Sequence, residues 1–338
     1  MTLRLSISRR QALETVAGGT VLLAGYGTAA RAQAVKRIDR YIADLDQIID
    51  VEEPILELGT GFGGGGNAEG PVWWQEGGYL LFASIGDNKL IKYEPGKGTS
   101  VFKMPTGGAN GHTRDTAGRM ISCEGLNRRV TREEKDGSIT VVCNNYQGKR
   151  INKPNDVVAA SDGSIYFTDP WNIADLQQAW DLDYNGVYRV SADLGTVSLL
   201  TRDLYLPNGL AFSTDEKIMY IGDSRRRQIV AFDVMPNGLL ANQTQRVFVD
   251  LKGQEPGGPD GFKVDTLGNV YTGGPGGIYI VDKLGRKLGR IVHGQPQTTN
   301  IAFGGGDWKT LYYTTHSTFG SVKLKVPGVP VPVPARKA

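Results

Sequence analysis

The chain has 338 residues, 40% of them hydrophobic and 22% charged, an ordinary globular composition. Residues 1–34 carry four Arg and one Glu, so the remainder holds 34 basic and 34 acidic residues. That balance gives no electrostatic case for nucleic acid or an anionic membrane. The length suggests two domains, but repeated β-architectures run long as one domain.

In chain order, residues 1–34 read as an export signal. Ser8-Arg9-Arg10 precedes a mildly apolar run, Val16 to Ala30, and Ala32-Gln33-Ala34 forms a small-x-small cleavage site. The paired arginines favour the twin-arginine route, hence a bacterial periplasmic location. Residues 35–58 follow as an N-terminal helix and a closing segment. Ile38, Ile42, Leu45, Ile48 and Ile49 recur at helical spacing, and Ile55–Leu58 reads as a strand. Gly61 to Gly66 is expected to be a mobile loop. Its G-x-G-x-x-G match lacks the βαβ context that phosphate binding needs.

Residues 59–326 divide into six sets of about four strands, joined by Gly-, Asp- and Asn-rich turns. The sixth set lacks a fourth strand, which the N-terminal closing segment can supply; closure of that kind removes open edges. Pro170 to Tyr184 exceeds the repeat and carries Trp171, Leu176, Trp180 and Leu182, so it is expected to form an apolar lid. Residues 327–338 form a Pro-rich tail, expected to be extended and partly disordered. Cys123 and Cys143 fall on non-neighbouring strands of one set and are expected to be buried thiols.

Six short fragments repeat one idea, a polar acid or amide opening a strand. They are Glu69-Gly70-Pro71, Asn110-Gly111-His112, Pro154-Asn155-Asp156, Pro207-Asn208-Gly209, Pro259-Asp260-Gly261 and Thr299-Asn300-Ile301. The intervals between the polar residues are 41, 45, 53, 52 and 40. A period of roughly 40–50 residues with several strands per unit signals an all-β propeller, in which equivalent positions converge on one axis. Glu69, Asn155, Asn208 and Asp260 would then form a ring of hard oxygen donors. Such a ring suits one divalent cation, calcium first, with magnesium, manganese and zinc as alternatives. With three His and no C-x-x-C or H-E-x-x-H spacing, a His/Cys zinc site is not expected. The absence of G-x-S-x-G removes the nucleophile-elbow hydrolases.

These motifs resemble the SMP-30/gluconolactonase/LRE-like family. The resemblance rests on Ala68-Glu69-Gly70-Pro71-Val72-Trp73, Asn152-Lys153-Pro154-Asn155-Asp156-Val157, Pro207-Asn208-Gly209-Leu210 and Pro259-Asp260-Gly261, in that order, over about residues 60–325. It implies a six-bladed β-propeller, here with a short N-terminal helix, and a divalent cation held by Glu69, Asn155, Asn208 and Asp260. Members include gluconolactonases, other lactonases, the related diisopropyl-fluorophosphatase and non-hydrolytic relatives. The expected activity is therefore metal-dependent lactone hydrolysis, with Asp260 as general base or nucleophile. Phosphotriester or fluorophosphate hydrolysis, and a non-hydrolytic or binding propeller, are the alternatives. Asn110 and Asn300 would complete the ring and face the substrate, with His112 and His316 nearby. Lys153 stands where sugar-lactonase relatives carry a substrate-contacting arginine. That departure points away from gluconolactone itself, and the Trp171/Trp180 insertion points to a substrate less polar than an aldonolactone.

Overall fold

The computed structural model describes residues 35–171 and 180–335. The export signal, Leu176 with most of the expected lid, and the last three residues lie outside the described residues. The rest is all-β, and its four-stranded antiparallel units form six blades.

Blade 1 comprises Ala68–Trp74, Tyr79–Ser84, Lys89–Glu94 and Gly98–Lys103; blade 2 comprises Ala109–Arg114, Met120–Glu124, Arg129–Glu133 and Ile139–Cys143. Blade 3 runs Val157–Ala159, Ile165–Asp169, Gly186–Val190 and Val197–Thr201; blade 4 runs Pro207–Phe212, Ile218–Asp223, Gln228–Val234 and Leu240–Asp250. Blade 5 holds Phe262–Val264, Val270–Gly274, Gly277–Val281 and Lys287–Val292; blade 6 holds Asn300–Gly304, Thr310–Thr314 and Thr318–Lys323. The first strand of each blade is innermost. Each inner strand packs on the next, and that of blade 6 packs on that of blade 1. Side chains close the hairpins locally. Asp115 Oδ1 accepts from the backbone N–H of Ala117 and Arg119, and Asp265 Oδ1 accepts from Leu267 and Asn269 in the same way. These are Asx turns, the reason Asp precedes Gly at such junctions.

The core lies in the wedges between blades. Between blades 6 and 1, Trp73 stacks on Tyr312 with ring centroids 5.4 Å apart, and Phe319 packs on Phe82 at 4.8 Å. The fourth strand of blade 6 is Leu56–Thr60, paired with Thr318–Lys323, as the closing-segment reading requires. Cys123 and Cys143 sit on either side of Val130, on strands that do not neighbour each other, and both are buried free thiols.

One expectation is corrected and two others gain detail. The apolar spacing of residues 38–49 does not form an α-helix. Arg37–Arg40 is instead a fifth strand on blade 5, pairing Arg37 with Val292 and Arg40 with Gly289. A 3-10 turn, Ala43–Gln47, follows and buries Leu45. The open edge of blade 5 offers a ladder of backbone partners that an isolated short helix lacks. Ile38, Leu45, Ile48 and Ile49 still reach the apolar wedge of blades 5 and 6. The tail is also ordered in its described part. Val329 N–H donates to Val264 O at 3.0 Å, Gly328 N–H donates to Trp308 O at 2.9 Å, and Val331 packs against the apolar cluster of Val72, Leu81, Leu90 and Met120. Finally, Gly61 to Gly66 is a hydrogen-bonded loop. Gly63 N–H donates to Ser84 Oγ at 2.7 Å, and Gly63 O accepts from Gly66 and Gly86.

Phe319 is fully buried at the seam where the ring closes. Phe319→Ala should cost about 3–5 kcal/mol in denaturant unfolding. A cost under about 1 kcal/mol, typical of a surface site, would show that the seam does not carry the closure.

Candidate active site

At one face, the inner strands begin with two stacked polar layers. The outer layer is Glu69, Asn110, Asn155, Asn208, Asp260 and Thr299. The next residue of each strand forms the inner layer: Gly70, Gly111, Asp156, Gly209, Gly261 and Asn300. Backbone bonds set this register. Gly111 N–H donates to Asn155 O and Gly261 N–H donates to Thr299 O, each at 2.8 Å. Thr299, not Asn300, therefore holds the sixth ring position. Asn300 stands one step in, equivalent to Asp156.

Glycine recurs in the inner layer because the neighbouring strand comes too close for a Cβ. A Cβ on Gly70 would lie 1.9 Å from Asn110 O, and one on Gly209 would lie 2.2 Å from Asp260 O. Real Cβ atoms do not approach so near, so the ring closes only with glycine here. The two residues that are not glycine use the room left by their neighbours. A Cβ on Gly111 would meet Asp156 Oδ1 at 2.5 Å, and one on Gly261 would fall within 2.1 Å of the Asn300 amide. Asp156 Oδ1 accepts from Val157 N–H, and Asn300 Oδ1 accepts from Ile301 N–H. Asn300 Nδ2 donates to Glu69 Oε2 at 3.1 Å.

Three carboxyls thus converge where little solvent reaches: Glu69 is 2% exposed, Asp156 1% and Asp260 6%. Burial pushes Asp260 up to about 7; hydrogen bonds from Gln297 and Asn208 oppose this, and the Asp156 charge adds to it. Burial also raises Glu69 well above the carboxylate range, reinforced by the charges of Asp260 and Asp156. Asp156 is raised by burial, while Lys263 pulls it down. Gln297 Nε2 donates to Asp260 Oδ2 at 3.0 Å and holds that carboxyl in place. Among the described residues, Asn110 Oδ1, Asp156 Oδ2 and Asn208 Oδ1 are buried oxygens without a hydrogen-bond donor.

The remaining expected residues lie around this set. His316 is exposed on the turn joining two strands of blade 6; its Nδ1 bonds Asn67 Oδ1 at 2.6 Å, and its carbonyl accepts from Ala68 N–H beside Glu69. Lys153 lies across Gly125, where a Cβ would be 3.2 Å from Lys153 Cγ. Its backbone N–H bonds Asp169, a buried carboxyl pushed up to about 7. Trp171 N–H donates to Asn185 Oδ1 at 2.7 Å, and Arg128 lies over the Trp180 ring at 5.3 Å. His112 is different. It is buried one layer deeper, with Nδ1 on Asn110 O, and it lines a cavity between blades 1 and 2. Burial pushes it down to about 4, so it is neutral at physiological pH.

A propeller whose axis opens on clustered carboxyl and amide oxygens defines a class, and the sequence comparisons agree with it. Residues 67–317 match the model of the SMP-30/Gluconolactonase/LRE-like region, and the chain belongs to that family. It is 32% identical to a gluconolactonase of Zymomonas mobilis, over 91% of this chain and 93% of that protein. It is 28% identical to the pentonolactonase XacC of Haloferax volcanii, over 73% of this chain and 80% of that one. Among solved structures, a gluconolactonase of Xanthomonas campestris superposes with a TM-score of 0.77 at 28% identity, covering 86% and 96% of the two chains.

Two outcomes follow. Gly261→Ala should displace Asn300 from Glu69 and cost about 1–3 kcal/mol in denaturant unfolding, as overpacking does; an unchanged unfolding midpoint would refute the layered packing. The second concerns pH. Asp260 and Asp169 bind protons more tightly folded than unfolded. In chelator, their contribution to stability is therefore fullest below about pH 4 and is lost as pH rises to about 7, while buried His112 and His293, pushed down to about 4, contribute in the opposite sense. Relative to the unaltered chain, Asp260→Asn should therefore gain melting temperature in chelator from pH 5 to pH 8; identical pH profiles for the two would contradict this.

Proposed function

We propose that the protein is a divalent-metal-dependent lactonase, acting outside the cytoplasm on a small cyclic ester. The observation that carries this reading is the convergence of three buried carboxyls with donor-free amide oxygens. Carboxyls packed this closely must bind protons or a cation. Among the described residues, no three His, Cys, Asp or Glu side chains would hold an ion alone. Neutral amide oxygens have to complete the set, which suits calcium and other hard cations better than a thiolate or imidazole site would. Glu69, Asn155, Asn208 and Asp260 would hold the ion, with Asn110 and Asp156 beside them. Bound there, it would polarise an ester carbonyl and acidify a water.

The chain's own groups supply the rest. Asp260, fixed by Gln297 and Asn208, takes the proton as a water oxygen bonds to the acyl carbon. The ring C–O bond then breaks, and the proton passes to the leaving alkoxide, giving an open-chain hydroxy acid. Asp156 keeps Asp260 basic enough for this task. Lys153, Trp171 and His316 line the approach and select the lactone. The names of the relatives support lactone opening as the reaction class.

Proton release from a panel of sugar, aliphatic and aromatic lactones, with calcium and with chelator, tests the reading. Turnover should require the ion, and Asp260→Asn should lower kcat by about 10²–10⁴-fold, the range of a general base. Full activity in that variant would remove Asp260 from the role. Absence of turnover on every lactone, with calcium still raising the melting temperature, would favour phosphotriester hydrolysis or a binding role. Export rests on residues 8–34. Substituting Arg9 and Arg10 by Lys should leave the protein in the cytoplasmic fraction; unchanged periplasmic recovery would rule out the twin-arginine route.

A further inference from the structure

The opposite end of the axis holds a second cavity, of about 320 Å³. Thr113, Val158, Ala211 and Lys263 line it, each three residues beyond a ring residue on its own inner strand. The cavity is therefore coaxial with the carboxyl site and separated from it by about 10 Å, at roughly 3.3 Å per strand residue. The tail completes it. Its backbone bonds fix residues 327–329 to blades 5 and 6, Val331 packs against residues of blades 1 and 2, and Val329, Val331 and Val333 form the remaining wall.

The chemistry of this chamber is unlike that of the ring. Its walls are chiefly apolar: Val158, Ala211, Phe212, Val264 and the three tail valines. Four charged side chains face it, and three are already occupied. Arg114 pairs with Glu76 through two bonds of 2.9 Å, Glu216 accepts from Ser161, and Asp215 accepts from Ser213 and Lys217. Lys263 is the exception. Its ammonium makes one hydrogen bond among the described residues, to Phe262 O at 3.2 Å. A half-buried ammonium has three N–H groups to satisfy, so two remain for a partner.

We propose that this far-mouth cavity is a second binding site, for a small amphiphilic carboxylate. The apolar body would lie among the strand-end and tail valines, with the carboxylate on Lys263. The volume is at the small end of ligand pockets, which excludes a large ligand. The proposal does not depend on what reaction the ring performs.

Octanoate is a suitable probe, titrated calorimetrically into the full chain in chelator, so that no ring chemistry intervenes. Saturable one-to-one binding is expected, at least tenfold weaker in K263M and retained in K263R. V333D, which puts a carboxylate in the wall, should weaken it similarly. Melting temperatures taken alongside separate lost binding from lost folding. Should K263M not fold, octylammonium decides the matter on the unaltered chain, since a cation site must reject it. Non-saturable octanoate binding, equal affinity in K263M, or equal affinity for octylammonium would overturn the proposal.

Discussion

Everything at the axis depends on how closely six inner strands approach one another. A ring of six leaves no room for a Cβ one step inside its rim, at Gly70, Gly111, Gly209 and Gly261. Each glycine lets the neighbouring strand's backbone or side chain press against it, and this crowding turns the ring residues toward a common space. The strand-opening turns thus serve closure and display at once. Closure needs the small residue, and display needs the polar residue before it. Asp156 and Asn300 exist in this layer because glycines on adjacent strands make space for them.

The same crowding concentrates charge. Glu69, Asp156 and Asp260 would repel one another if all were ionised, and burial removes the water that would screen them. Asn300, Asn208 and Gln297 relieve only part of this by donating hydrogen bonds. A site built this way costs the fold part of its stability. Such a tension is common where a fold carries chemistry rather than only packing.

Much of this was legible in the sequence. The 40–53-residue spacing of the polar turn residues gave six blades, because each blade is one turn-rich unit of similar length. The missing fourth strand of blade 6 pointed to an N-terminal strand, which Leu56–Thr60 supplies. The N-terminal helix was misread because apolar residues three or four apart satisfy a strand followed by a tight turn equally well. Which of these forms is decided by the blade 5 edge, a tertiary feature. The tail's prolines signal extension, and only the fold shows where the extended segment is anchored. Asp156 was present in the motif yet overlooked beside Asn155. Its signal was the break in the glycine pattern, shared with Asn300. Gln297 lies in a loop with no motif, and nothing local marks it.

The N-terminal segment has a bearing on how the chain is made. Arg37–Arg40 pairs into blade 5 and Leu56–Thr60 into blade 6, and Asp39 meets Arg290 across 251 positions of sequence. These early-synthesised residues are therefore among the last to find partners. Until the final blades exist, Ile38, Leu45 and Ile49 have no wedge to enter, and the edges they cover stay open. Loop closure over such a separation is slow compared with forming local hairpins. Individual blades can collapse as they emerge, but the barrier that protects the finished ring is set only when its two ends have met.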